Sequence, residues 1–197
     1  MGLFSKKPKM EVKTFGNPVL RKECEEVKEV TPEIRTLVDE MVECMYEENG
    51  IGLAAPQIGK NIRLFVIDTR AEDEENYNTP GEALLSPKMP MAVINPEIVS
   101  TSGADSPFLE GCLSIPGVNA TVIRPEIIRL KGMGVDGQTF DVECGGLLAR
   151  CAQHEIDHLN GILFVDIAVK EEVEIEKIKL DKLRALNKKK LRKKRKS

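Results

Sequence analysis

Histidine is scarce in this chain: His154 and His158 are the only two, so any chemistry that relies on imidazole must use them. Nor is there a run of 18 apolar residues, which excludes a membrane-spanning helix. The five cysteines (Cys24, Cys44, Cys112, Cys144, Cys151) are an odd number and contain no CxxC pair. A disulfide framework is therefore not expected, and reduced thiols or metal ligands remain. The first residues, MGLFSKKPKM, lack the apolar stretch of a signal peptide. Lys6 also stands where a myristoylation signal needs Ser or Thr. A cytoplasmic protein without a membrane partner is the expectation, and no internal repeat is visible.

Over 197 residues, 41% are hydrophobic and 31% charged, which suits one soluble domain with a real core. The net charge of −3 hides an uneven distribution, because residues 188–197 (KKKLRKKRKS) hold eight cations and no acid. Without those eight, 21 basic side chains face 32 acidic ones, a body at −11. Polarity and charge mark residues 1–12 as a flexible N-terminus and 188–197 as a basic, disordered tail, and leave 13–187 as a single domain.

Thr31-Pro32 reads as a helix start, Thr as N-cap and Pro at the first helical position. Ile34, Leu37, Val38, Met41, Val42 and Met45 then recur at helical spacing and form a core-facing stripe, closed by Asn49-Gly50. IRLFVID (62–68) reads as a buried strand, and residues 71–90, acidic and rich in Pro and Gly, as a long surface loop. MAVINPEIVS (91–100) is a strand candidate broken by Pro96, and ATVIRPEIIRLKG and QTFDVEC are two strands around a GMGVDG turn. A helix follows Gly145-Gly146, ILFVDIAV (162–169) reads as another strand, and a charged helix is expected over about 171–187. Strands without regular βαβ alternation favour α+β.

CAQHEIDHLNG (151–161) carries the chemistry. His154 and His158 lie four apart, one above the other on a helix face, so both can bind one divalent cation. Glu155 beside them is not needed as a ligand and can serve as a proton acceptor. A catalytic site of this kind needs three protein ligands. With no third histidine, the candidates are Cys, Asp or Glu. Glu171, Glu172, Glu174 and Glu176 lie downstream in a charged helix that reads as a solvated face. Upstream, FLEGCLSIPG (108–117) places Cys112 between a glycine and a short apolar turn, and a thiolate there suits Fe²⁺, Zn²⁺, Co²⁺ or Ni²⁺. In GIGLAAPQIG (50–59) the small residues can simply permit close packing, but Gln57 is not explained by packing.

Taken in this order, GIGLAAPQIG, EGCLSIPG and QHEIDHLNG resemble the peptide deformylase family, from about Phe15 to Val169, with 71–90 as an apparent insertion. The resemblance implies a metal-dependent hydrolase that removes the formyl group from formylmethionine of nascent chains, with Fe²⁺ the usual metal. It implies Cys112, His154 and His158 as ligands, Glu155 as general base and proton shuttle, and Gln57 with the Leu113 N–H as oxyanion donors. Gly52 would offer backbone bonds to an extended peptide, and Ile51, Phe108, Leu147 and Cys151 would wall a methionine pocket. Arg124 matches a basic position of the family. Asn119 stands where members often carry a charge, so no peptide contact is assigned to it. The implied fold is α+β, with antiparallel or mixed strands surrounding a central metal-binding HExxH helix, an N-terminal helix and a C-terminal helix. The basic tail makes the ribosome a candidate partner. Two rivals are an HExxH endopeptidase, told apart by internal cleavage rather than formate release, and a non-enzymatic relative, favoured only by loss of the glutamate, glutamine or cysteine.

Overall fold

The computed structural model describes residues 10–70 and 77–194. Helix α1 (Pro32–Glu47) starts at the proline, and Thr31 occupies the cap position in extended backbone, though its side chain makes no capping hydrogen bond. Five strands follow: β1 (Gly52–Ala54), β2 (Leu64–Ile67), β3 (Met91–Gly111), β4 (Asn119–Met133) and β5 (Thr139–Cys144). They form one antiparallel sheet in chain order. Helix α3 (Gly146–Leu159) comes after the sheet, preceded by α2 (Pro80–Leu85) between β2 and β3.

The period of two in β2 decides how the layers stack. Leu64 and Val66 face one way, into a cluster with Val38, Met41 and Met45 of α1. Phe65 and Ile67 face the other, into a cluster with Leu148, Ala149, Ala152 and Ile156 of α3. All are buried. The sheet is thus held between α1 and α3, and α3 keeps one side for the sheet while turning another toward the end of β3.

Several segments differ from the expectation. Pro96 does not end its strand, because β3 absorbs it in a register shift between Ile94 and Glu97. Asn95 sits there at φ 48, and its side chain donates to the Val27 carbonyl at 2.8 Å and accepts from the Val27 N–H at 2.9 Å. Residues 77–90 are not an irregular loop: Thr79 caps α2, accepting from the Glu82 N–H at 3.3 Å, and Leu85 and Met89 are buried. Residues 71–76 lie outside the described residues.

The apolar run 162–169 folds as a short helix, α4 (Phe164–Ile167), not a strand, with the Asp166 carboxylate accepting from the Leu163 N–H at 2.8 Å. Its Leu163, Phe164 and Ala168 pack against Ala120 and Val122 of β4, so burial is served without pairing. The charged helix is two, α5 (Lys170–Ile175) and α6 (Lys177–Lys194), and α6 continues through 188–194, where disorder was expected. Lysine, arginine and leucine are all good helix formers, so a charge run alone does not stop a helix. Of the expected flexible start, residues 1–9 lie outside the described residues, while Met10 and Val12 pack against the α1 cluster.

Candidate metal centre and active site

On α3, His154 and His158 present rings whose centroids are 5.0 Å apart at 79°. Cys112 comes from a different region, the turn that follows β3. Its Sγ lies 3.2 Å from His158 Nε2, and one donor atom from each of the three residues falls within 4.8 Å of the others. Among the described residues this is the one such cluster. The downstream acids do not join it: they lie on α5 and just beyond, where Glu172 Oε2 accepts from the Thr121 N–H at 2.6 Å.

The turn after β3 is set by its own backbone, with the Ile115 N–H donating to the Cys112 carbonyl at 2.9 Å. Two donors aim at the sulfur, Gln57 Nε2 at 3.5 Å and the Ser114 N–H at 3.4 Å. Gln57 is buried and its orientation is fixed, because Oε1 accepts from the Ala54 N–H at 2.7 Å while Nε2 also reaches Ser114 Oγ at 3.2 Å.

His154 Nδ1 meets Glu110 Oε2 at 2.9 Å, which leaves its Nε2 for the centre. Glu110 is in turn gripped by Arg124, at 2.7 and 3.0 Å, and Arg124 reaches Asp157 at 2.7 Å. Burial would raise the Glu110 carboxyl, but His154 and Arg124 hold it down at about 2, so it stays ionised. Burial penalises a cation at His154, yet Cys112 and Glu110 outweigh it and lift its pKa well above the usual range. Burial and the neighbouring His154 keep His158 neutral.

Glu155 is buried against β1, and burial pushes its pKa to about 7. Its Oε2 and the Nδ1 of His158 are buried polar atoms without a hydrogen-bond partner. A buried carboxylate oxygen with no partner is costly, and in a working site it is an acceptor waiting for a substrate or water proton. A soft sulfur and two imidazoles make a donor set that fits one divalent metal ion, with this free acceptor beside it.

A cleft of about 470 Å³ opens over the cluster and is lined by Gln57, Leu113 and Glu155 as well as the apolar candidates. Phe108 is 53% exposed along it, Ile51 and Leu147 are comparably exposed, and Cys151 lies buried beneath. Gly52 lies beside Glu155. All eleven candidate site residues thus meet in one place. Sequence reasoning missed Glu110, Ser114, Arg150 and Asp157. For Glu110 a signal existed, since a residue two before Cys112 shares its face in extended chain.

The sequence model of the polypeptide deformylase family matches residues 9–174. The chain belongs to that family. A peptide deformylase of Prochlorococcus marinus is 47% identical over 165 residues, 84% of this chain and 75% of the relative. One from Halothermothrix orenii is 42% identical, covering 83% of this chain and 96% of its own. Among solved structures, the peptide deformylase of Synechococcus elongatus in complex with actinonin is 40% identical. It has a TM-score of 0.75 and covers 90% of this chain and 87% of its own. A plant peptide deformylase has a TM-score of 0.78 at 32% identity, over 95% and 94% of the two chains. Deformylases are metal-dependent hydrolases that remove N-terminal formyl groups from nascent peptides. Among the described residues no helix is long and apolar enough to cross a membrane.

Proposed function

We propose that Cys112, His154 and His158 hold one divalent ion, Fe²⁺ in the cell, with Zn²⁺, Ni²⁺ or Co²⁺ able to replace it. In this reading α3 is the metal-binding helix that the strands surround. Bound there, the ion supplies Lewis acidity toward the formyl carbonyl and makes water acidic enough to ionise near neutral pH. The rest falls to the protein's own groups. Glu155 Oε2 takes the proton of the attacking water as its oxygen adds to the formyl carbon. It then returns that proton to the amine nitrogen as the C–N bond breaks and formate leaves. Gln57 Nε2 and the Leu113 N–H donate to the oxygen that gains charge in between.

Substrate selection follows the same cleft. Ile51, Phe108, Leu147 and Cys151 receive the methionine side chain. β1 is the first strand of the sheet order, so the backbone at Gly52 has a free edge to offer an extended peptide. The substrates are formylmethionyl nascent peptides in the bacterial cytoplasm, and the cations of α6 give the enzyme a salt-sensitive contact with ribosomal phosphates.

The observation that carries this reading is the partnerless Glu155 Oε2 beside the three-donor cluster. Its test is Cys112→Ser. Loss of a ligand should weaken metal binding beyond the roughly 10–100-fold typical of outer-shell changes, with formate release lost in parallel. Normal metal content and turnover in that variant would contradict the ligand set.

A further inference from the structure

Arg150 takes no part in the steps above, yet its guanidinium is held by three hydrogen bonds. It lies four residues before His154 on α3, so the two side chains rise from one helix face. Its Nη1 donates to Glu110 Oε1 at 3.2 Å and to the Val122 carbonyl at 3.1 Å, and its Nη2 to the Ser106 carbonyl at 2.7 Å. The side chain is only 11% exposed. Arginine is rarely buried unless paired, and here a carboxylate and carbonyls from both β3 and β4 supply the partners. The guanidinium carbon also sits 5.6 Å from the centroid of the Phe108 ring, within cation–π range.

These contacts have two ends. One is Glu110, whose other oxygen holds His154 Nδ1. The other is Phe108, an exposed wall of the cleft. Arg124, which also grips Glu110, directs its remaining bond to Asp157 instead. We propose that Arg150 is a positioning residue that couples occupation of the apolar wall at Phe108 to the orientation of His154 through Glu110. A side chain pressed on the ring bears on the guanidinium, and through the carboxylate on the imidazole. The planar fork is essential to this, because only a rigid guanidinium can meet the ring, two carbonyls and a carboxylate together.

The inference rests on the metal-ligand reading, and its test separates the two. Holoenzyme loaded with cobalt is mixed with a chelator, and metal release is timed with saturating Met-Ala-Ser or Ala-Ala-Ser. The peptides share a backbone and differ only in the first side chain. In the wild type, Met-Ala-Ser should slow release about fivefold or more relative to Ala-Ala-Ser, the lower end of ordinary coupling between sites. In Arg150→Met, which keeps an apolar stem and loses the donors, that difference should vanish, and Arg150→Lys should recover only part of it. Equal protection by both peptides in the wild type, or an undiminished difference in Arg150→Met, overturns the coupling. Should Arg150→Met not fold, Arg150→Lys decides: a reduced difference supports the coupling and a full one overturns it. A wild-type protein that takes up no metal overturns the ligand reading and the coupling together.

Discussion

A Cβ placed on Gly52 would lie 2.5 Å from Glu155 Oε1 and 2.7 Å from Cys151 Sγ, closer than real atoms approach. The missing side chain at this position is what lets the Glu155 carboxylate lie against β1. Both neighbours are themselves buried, so neither can swing aside cheaply. Gly52→Ala should therefore displace the carboxylate without touching a metal ligand. Formate release should fall by up to about a hundredfold, the cost of a misplacement near 1 Å, while metal content stays normal. The kcat/KM of metal-quantified protein checks this, and a wild-type value would remove Gly52 from the account. Position 52 also marks a limit of sequence reading. The small residues of GIGLAAPQIG announce a close approach, but not that the approaching atom is Glu155, which arrives from α3. Glu110 could be placed on the face of Cys112, but its contacts with His154, Arg124 and Arg150, all remote in sequence, could not be read.

Helices with a strong period were legible, and short apolar runs were not. The stripe of α1 and the four-residue spacing of the histidines on α3 each imply a single face, and the chain folds on those faces. The run at 162–169 has no such signature, since an apolar stretch of eight residues serves a buried strand or helix equally well. It became α4 because its apolar side chains pack on β4. On α6 the charge run suggested disorder, whereas the segment is anchored from within. Asn187, buried, donates to the Thr14 and Phe15 carbonyls at 3.1 and 2.9 Å. Beyond it, the Lys190–Glu11 pair is exposed, and such a pair is worth at most about 1 kcal/mol. Removing residues 188–197 should therefore leave the body folded and formate release from small peptides unchanged. Ribosome association should weaken and lose much of its salt dependence. Unchanged association at low salt would show that these cations contribute nothing to docking.

At the scale of the whole molecule, the site is a seam. Residues 50–57 bring Gly52 and Gln57, the end of β3 and the turn after it bring Glu110 and Cys112, and α3 brings Arg150, His154, Glu155 and His158. The sheet fixes two of these segments and α3 packs on it through Leu148, Ala152 and Ile156, so the geometry of the centre depends on the core behind it. Three short motifs in one order were enough to point to the family, but which atoms face the cleft depended on packing across the sheet. The measurement that bears most directly on the account is formate release from formyl-Met-Ala-Ser by anaerobically purified, metal-quantified protein, run beside Glu155→Gln. Release should scale with metal content in the wild type. Glu155→Gln should keep its metal and lose about 10²–10⁴-fold in kcat, the usual worth of a positioned general base. A fully metallated wild type that releases no formate, or a Glu155→Gln variant that turns over at the wild-type rate, would contradict the account.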